Sequence, residues 1–187
     1  MKIKGLRVPV IVIAALITLV LLFGFNVFYR EVRIEKPLLD GVKQVKEVKD
    51  LKLFNRDGKQ VLRVRLGEVA DLRRTYIAVR EKAGQVFGSR PYMIEIVDNP
   101  SPELEKIYYN LQFPLQEALV RGNFTEMKKA VEAETAPYGV EARVYIDQEN
   151  LYLQLKKGDH YLYRIFPRYL EKNRVNVPAV EVVEGAE

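Results

Sequence analysis

The sequence contains no cysteine and no tryptophan, and its 187 residues include one histidine, His160. The absence of cysteine excludes disulfides, thiol nucleophiles and cysteine-ligated zinc or iron–sulfur sites. A single histidine excludes a multi-histidine metal site. It lies beside a Gly-Asp pair, which is typical of a solvated turn. The composition therefore predicts neither a metal centre nor a cofactor.

Common catalytic motifs are also missing, including GxxxxGK[ST], GxSxG and HExxH. Two carboxylate pairs occur, Glu103 with Glu105 and Asp147 with Glu149, but the first suits a helix N-terminus and the second a turn. Acid–base catalysis would need two carboxylates in one cleft with separated pKa values. The sequence therefore predicts a protein that is not an enzyme, with a carboxylate-dependent hydrolase as the weaker alternative.

Basic charge is not concentrated anywhere in the chain. The formal net charge is +5, but Lys2, Lys4 and Arg7 precede a long hydrophobic run, so the rest of the chain is nearly neutral. Nucleic-acid binding depends on a concentrated basic surface that displaces phosphate counterions. We therefore expect no nucleic-acid partner.

Residues 8–29 form an uncharged run, VPVIVIAALITLVLLFGFNVFY. At about 1.5 Å per residue, a helix of this length spans the ~30 Å hydrocarbon core of a bilayer. Its polar side chains are only Thr18, Asn26 and Tyr29, so it lacks the polar stripe of a soluble helix. Its last residues offer no signal-peptidase site. The run predicts an uncleaved transmembrane helix, with the lipid bilayer as a partner of residues 8–29.

Two signals disagree about the orientation of this anchor. More basic residues follow the run than precede it, which by the positive-inside rule favours a cytoplasmic domain. A short basic leader, residues 1–7, before an apolar run is the usual signal-anchor arrangement, and long domains translocate with little regard to charge. We expect the N-terminus in the cytoplasm and the C-terminal domain on the extracytoplasmic side.

The remainder divides into a juxtamembrane stalk, an α+β domain and a flexible tail, at residues 30–47, 48–167 and 168–187. In the stalk, Val42 and Val45 recur with Val48 at every third residue, which fits either a short helix or the start of a strand. In the tail, Pro178 and a final Glu-Gly-Ala-Glu favour flexibility.

The domain has a clear order of periodic segments. A hairpin of residues 48–54 and 60–66 surrounds Asn55-Arg56-Asp57-Gly58, and is followed by a helix at 68–87 and a strand at 92–97. Ser101 and Pro102 begin a helix that ends near Gly122. A further helix at 125–135 precedes a three-stranded meander at 140–167. The order ββ-α-β-αα-βββ predicts an α+β fold with one mixed, mostly antiparallel sheet and helices packed on one face.

Tyrosines on one face of the meander are the candidate binding surface. Period-two alternation places Tyr145 and Tyr152 opposite one another, flanked by Arg143 and Gln154, and Tyr163 joins them in one register of the next turn. Tyrosine and arginine are enriched at interfaces. Arg143, Tyr145, Tyr152 and Tyr163 are therefore the predicted site residues, whereas cross-strand packing that stabilises the sheet is the simpler interpretation.

Together these features favour a non-enzymatic, single-pass membrane protein whose domain is a protein–protein or cell-envelope interaction module. Its expected partner is another membrane or envelope protein. The alternative is a membrane-tethered sensor of small ligands, with a pocket between helices and sheet lined by Tyr76 and Tyr108. The sequence assigns neither the partner's identity nor the oligomeric state.

Overall fold

A computed structural model describes the backbone of residues 8–30, 36–168 and 179–183, and the side chains of residues 9–22 and 40–168. The leader at 1–7 and parts of the predicted stalk and tail lie outside the described residues. The helices of the described part are α1 (Val8–Arg30), α2 (Lys36–Lys43), α3 (Leu72–Phe87), α4 (Pro102–Arg121) and α5 (Phe124–Thr135). Its strands are β1 (Val48–Arg56), β2 (Lys59–Leu66), β3 (Tyr92–Val97), β4 (Glu141–Ile146), β5 (Asn150–Lys157), β6 (His160–Pro167) and β7 (Ala179–Val183).

The strands form two sheets rather than the single sheet that the sequence predicts. Sheet I has the order β1-β2-β3-β7, and sheet II has the order β4-β5-β6. The mixed α+β class and the order of the predicted segments are confirmed. The prediction of one sheet is wrong, because the strands divide between sheet I and sheet II. Sheet I is mixed, since β3 pairs in parallel with both β2 and β7, whereas the other strand pairs are antiparallel.

Local chemistry explains the first part of sheet I. The β1–β2 hairpin turns at Asp57 and Gly58, whose φ angles are +52° and +77°. Two positive φ angles are typical of the type I′ turn that joins twisted antiparallel strands. The chain then crosses through α3, and such a helical crossover is what allows β3 to return parallel to β2.

Sheet II is a simple antiparallel meander. Its strands pair in sequence order, with Leu153 opposite Val144 on one side and Arg164 on the other. Asp147 caps the first turn, because its Oδ1 accepts hydrogen bonds from the N–H groups of Glu149 and Asn150 at 2.8 and 2.7 Å. Side-chain bonds of this kind are the reason aspartate favours turns.

Two hydrophobic clusters lie on opposite faces of sheet II. The first cluster contains the apolar face of α3, the inner face of sheet I, and Tyr152, Tyr163 and Ile165 of sheet II. The second contains the apolar faces of α4 and α5 together with Leu151, Leu153, Leu155 and Leu162. The prediction that the helices pack on one face is therefore wrong. Helix α3 packs into the first cluster, whereas α4 and α5 pack into the second. Sheet II is buried from both sides.

Regular structure extends beyond both ends of the predicted domain. In the predicted stalk, α2 forms at residues 36–43 and Val42 is fully buried in the first cluster. In the predicted flexible tail, β7 pairs along β3 from Met93 to Val97. Three of the five residues of β7 are valines, namely Val180, Val182 and Val183, and β-branched residues favour a strand.

The predicted membrane anchor is contradicted. Within residues 8–30, 36–168 and 179–183, no helix is both long and apolar enough to cross a bilayer. The single-pass assignment of residues 8–29 is therefore corrected, together with the extracytoplasmic placement that depended on it.

Candidate interaction surface

The structure brings the predicted tyrosine face together in the expected register. Tyr145 lies opposite Tyr152, and Arg143 lies opposite Gln154, which in turn pairs with Tyr163. However, Tyr152, Tyr163 and Gln154 are buried. Tyr152 and Tyr163 therefore belong to the first hydrophobic cluster, and Gln154 is a buried polar residue on the same face of sheet II. The three side chains do not form an exposed row.

The tyrosine face binds a segment of the same chain, the loop between β2 and α3 at residues 67–71. The Tyr163 hydroxyl donates to Gly67 O at 2.9 Å and accepts from Val69 N–H at 3.1 Å. Gln154 donates to Val69 O at 2.6 Å. Arg143 donates to the carbonyl of Ala70 at 2.7 Å. Two of the predicted site residues, Arg143 and Tyr163, thus satisfy backbone groups of an internal loop.

Tyr152 has a separate set of partners at the β4–β5 turn. Its hydroxyl donates to Asp147 Oδ2 at 2.7 Å and accepts from Asn150 Nδ2 at 3.1 Å. Burial, followed by the hydrogen bond to Asp147, raises the pKa of Tyr152. Burial would also raise the pKa of Asp147, but its hydrogen bonds from Tyr152 and the turn amides outweigh this and hold it below its ordinary value. This turn is a satisfied structural network.

The carboxylate pairs do not form an acid–base site. Asp147 is engaged by its own turn, whereas Glu149 forms an ion pair with Arg80 of α3. Glu103 pairs with Lys157 at 2.7 Å, and Glu105 pairs with Arg164 at 2.9 Å. Each carboxylate therefore has a basic or hydrogen-bonding partner that accounts for its position.

The two tyrosines named for a ligand pocket lie in different clusters. Tyr76 is fully buried in the first cluster, where its ring lies 5.9 Å from that of Tyr152. Tyr108 packs against the second cluster, with the Arg164 guanidinium 4.6 Å from its ring centroid. Sheet II separates these clusters, so Tyr76 and Tyr108 do not line one pocket.

A buried carboxylate on the outer face of sheet I is also fully paired. Glu95 accepts from Arg63 Nε at 2.7 Å and from Arg56 Nη2 at 3.2 Å. Burial would raise its pKa, but these two hydrogen bonds and charges outweigh that effect and lower it. The guanidinium groups of Arg56 and Arg63 also lie over the ring of Phe54, at 5.4 and 5.0 Å respectively from its centroid. Glu95 therefore serves the stability of the sheet.

The most prominent exposed apolar feature of the domain is a stripe on α4, which the sequence analysis did not identify. We define the α4 stripe as Tyr109, Phe113, Gln116 and Val120. The three apolar members are 65%, 77% and 86% exposed, and Gln116 is exposed as well. The buried residues of α4 are Leu104, Ile107, Leu111, Leu115 and Ala118. At 100° per residue, the stripe lies on the opposite side of the helix from this buried face.

The spacing of the α4 stripe held a signal that could have been found from sequence. Its members follow one another at steps of four, three and four, and the buried residues of α4 follow one another at steps of three, four, four and three. A helix whose apolar residues form two opposite stripes has more apolar surface than one core can bury. Pro114 did not interrupt the pattern, because α4 continues through it.

Neither a cluster of metal ligands in the described residues nor a match to a known protein assigns a function to the domain. In the described part of the chain, no group of three or more histidine, aspartate or glutamate side chains is placed to hold a metal ion. Comparison of the chain with protein-family models, with curated proteins and with solved structures gives no match. The functional argument therefore rests on the surface itself.

Proposed function

We propose that the domain is a protein–protein interaction module that binds an amphipathic helix of a partner protein through the α4 stripe. The observation that carries this proposal is the ordered exposure of Tyr109, Phe113 and Val120 on one line of a helix that is otherwise well packed. Singly scattered apolar residues are normal on protein surfaces, whereas contiguous ones mark binding sites.

The spacing of the stripe specifies the shape of the partner. Steps of four, three and four are the a/d spacing of a heptad, which fits side chains of one helix into the gaps of another. From Tyr109 to Val120 the stripe is about 17 Å long at ~1.5 Å per residue, or three helical turns. A partner helix of three to four turns with apolar anchors at matching spacing would cover it.

The composition of the stripe supports a binding role. Aromatic side chains are enriched in interface cores, and each can bury roughly 150–250 Å². Gln116 supplies one polar position in the line, and a polar residue at a single a or d position typically fixes the register of helix pairing. The stripe is also bordered by charges of both signs, Lys106 and Glu117, which favours a defined orientation of the partner.

Site-specific photocrosslinking tests this proposal. We would place a photoreactive phenylalanine analogue at position 113 and, as a control, at the exposed Lys129 of α5, in the full chain in its native host. We expect position 113 to crosslink to one partner segment with apolar residues at heptad spacing, and position 129 to give no such product. The double change Tyr109→Ser and Val120→Ser should abolish that crosslink.

The same variants show whether any loss is specific. Because Tyr109 and Val120 are exposed, their replacement should change stability by less than about 0.5 kcal/mol each. An unchanged thermal transition with a lost crosslink supports the interface. Equal crosslinking from positions 113 and 129, or a crosslink that survives the double change, would show that the stripe is not a docking face.

A further inference from the structure

Asp98 lies where the two sheets meet. β3 ends at Val97, and Asn99 then exchanges two backbone hydrogen bonds with Tyr161 of β6, at 3.0 and 3.2 Å. The Asp98 side chain between these points is buried. It is therefore a carboxyl group enclosed between sheet I and sheet II.

The two oxygens of Asp98 have unequal surroundings. Oδ2 accepts from the N–H of Tyr163 at 2.8 Å and from Nη1 of Arg164 at 2.9 Å. Oδ1 is buried and accepts no hydrogen bond within the described part of the chain. Burial of a charged oxygen without a donor is costly, and protonation of the carboxyl group removes that charge.

The charges around Asp98 do not balance when every acid is ionised. The Nη2 group of Arg164 donates to Glu105 of α4 at 2.9 Å, so one guanidinium serves two carboxylates. A mostly buried cluster with two negative charges and one positive charge favours uptake of one proton. The titratable and charged groups that interact with Asp98 are Arg164, Tyr161 and Tyr163 of β6 and Glu105 of α4. Tyr108 of α4 interacts with Arg164 and Glu105.

The tyrosines in this set cannot supply the missing charge. Burial raises the pKa of Tyr108, Tyr161 and Tyr163 above the ordinary value for a phenol. They remain neutral at physiological pH. The charge state of the cluster therefore depends on Asp98, whose carboxyl group is buried.

We propose that Asp98, Arg164 and Glu105 form a proton-binding junction that couples the contact between α4 and the two sheets to pH, with Asp98 as the proton acceptor. When Asp98 is ionised, Arg164 is shared between the end of β3 and the first turns of α4. When Asp98 is protonated, the guanidinium is left to Glu105, and the junction becomes electrically balanced. The Tyr108 ring lies against the same guanidinium, whose central carbon is 4.6 Å from the ring centroid.

The direction of the effect follows from the difference between the folded and unfolded chains. Burial raises the pKa of Asp98 from its ordinary 3.8 to about 6, against the opposing effects of the Tyr163 amide and Arg164. The folded chain therefore binds this proton more tightly between about pH 4 and pH 6. The contribution of the junction to stability is largest at low pH and is lost as the pH rises through about 6.

Comparison of the wild type with Asp98→Asn tests the junction in the full chain. Asparagine keeps the size and one acceptor oxygen but cannot titrate. Between about pH 7.5 and pH 5, the unfolding equilibrium constant of the wild type should fall roughly tenfold relative to that of Asp98→Asn, as linkage requires. Urea titrations at each pH provide the measurement. His160→Gln is the control, because it removes the single histidine of the chain and leaves the junction intact, and it should retain the wild-type response.

A direct titration makes the result independent of how the variant folds. The side-chain carboxyl ¹³C resonance of Asp98 in the wild type should titrate with a midpoint near pH 6. A midpoint below about 4.5, or the same pH response in the wild type and Asp98→Asn, would overturn the proposal. If Asp98→Asn does not fold, the midpoint measured on the wild type decides between these outcomes.

Discussion

Hydrogen bonds from side chains of sheet II hold the loop between β2 and α3 in place. The Tyr163 hydroxyl is the partner of two buried backbone groups, the Gly67 carbonyl and the Val69 amide. Buried backbone groups that lose their partner cost about 1–3 kcal/mol. The hydroxyl of Tyr145 is different, because its contact with Ala70 O is 3.4 Å long and exposed.

We therefore predict that Tyr163→Phe lowers the free energy of unfolding by about 1–3 kcal/mol. Tyr145→Phe also removes a tyrosine hydroxyl from this face of sheet II, and it should lower the free energy of unfolding by less than about 0.5 kcal/mol. Urea denaturation followed by circular dichroism measures both. Equal losses from the two variants would mean that the loop is not held by Tyr163.

The residue pattern predicted this face but could not predict what covers it. Period-two alternation placed Arg143, Tyr145, Tyr152 and Tyr163 together, and the strand register agrees. The loop residues that Arg143, Tyr145 and Tyr163 contact lie more than 70 residues away along the chain. Alternation gives the direction of a side chain, whereas contacts over such a separation depend on how the elements pack.

At the level of secondary-structure elements, the positions at which helices begin are determined best by local chemistry. The side chain of Ser101 accepts the N–H of Leu104 at 3.3 Å, and Asp71 accepts the N–H of Arg74 at 3.0 Å. Both residues have extended backbone angles, as N-caps do. The start of α4 could be read from Ser101-Pro102 because every interaction involved lies within four residues.

Ser101→Ala should destabilise the protein by about 1 kcal/mol, since it leaves the first turn of α4 without its cap. The exposed Ser89, in the turn after α3, is the matched control, and Ser89→Ala should have an effect below about 0.5 kcal/mol. Thermal unfolding at constant pH compares the two. A null result at Ser101 would indicate that packing on the second cluster alone sets where α4 begins.

The division into two sheets shows where element-level prediction stops. Hairpin and meander turns join strands that are neighbours in sequence, so β1–β2 and β4–β5–β6 could be predicted. The pairing of β3 with β2 and β7 spans a helix on one side and most of the domain on the other. No local signal distinguishes the predicted single sheet from two smaller ones. That choice depends on which faces α3 and the α4–α5 pair can bury.

On the scale of the whole molecule, sheet II joins the two hydrophobic clusters into one folding unit. Its leucine face belongs to the α4–α5 side, whereas its tyrosine face belongs to the α3 and sheet I side. Loss of either cluster would expose a face of the same three strands. Unfolding of the first cluster would expose Tyr152, Tyr163 and Ile165 to water, and unfolding of the second would expose the four leucines of sheet II. Because so much buried apolar area would be lost, we expect that neither half persists after the other unfolds.

We therefore predict that Leu62→Ala in the first cluster and Leu153→Ala in the second each destabilise a single shared transition. Both side chains are fully buried, and such changes cost about 2–5 kcal/mol. Val120→Ala removes aliphatic carbons from an exposed position and should cost less than about 0.5 kcal/mol. Far-ultraviolet circular dichroism and tyrosine fluorescence should give coincident urea midpoints in every variant. Two separated midpoints in Leu62→Ala, with the second equal to that of the wild type, would show that the α4–α5 side folds without sheet I, and that sheet II needs only its leucine face.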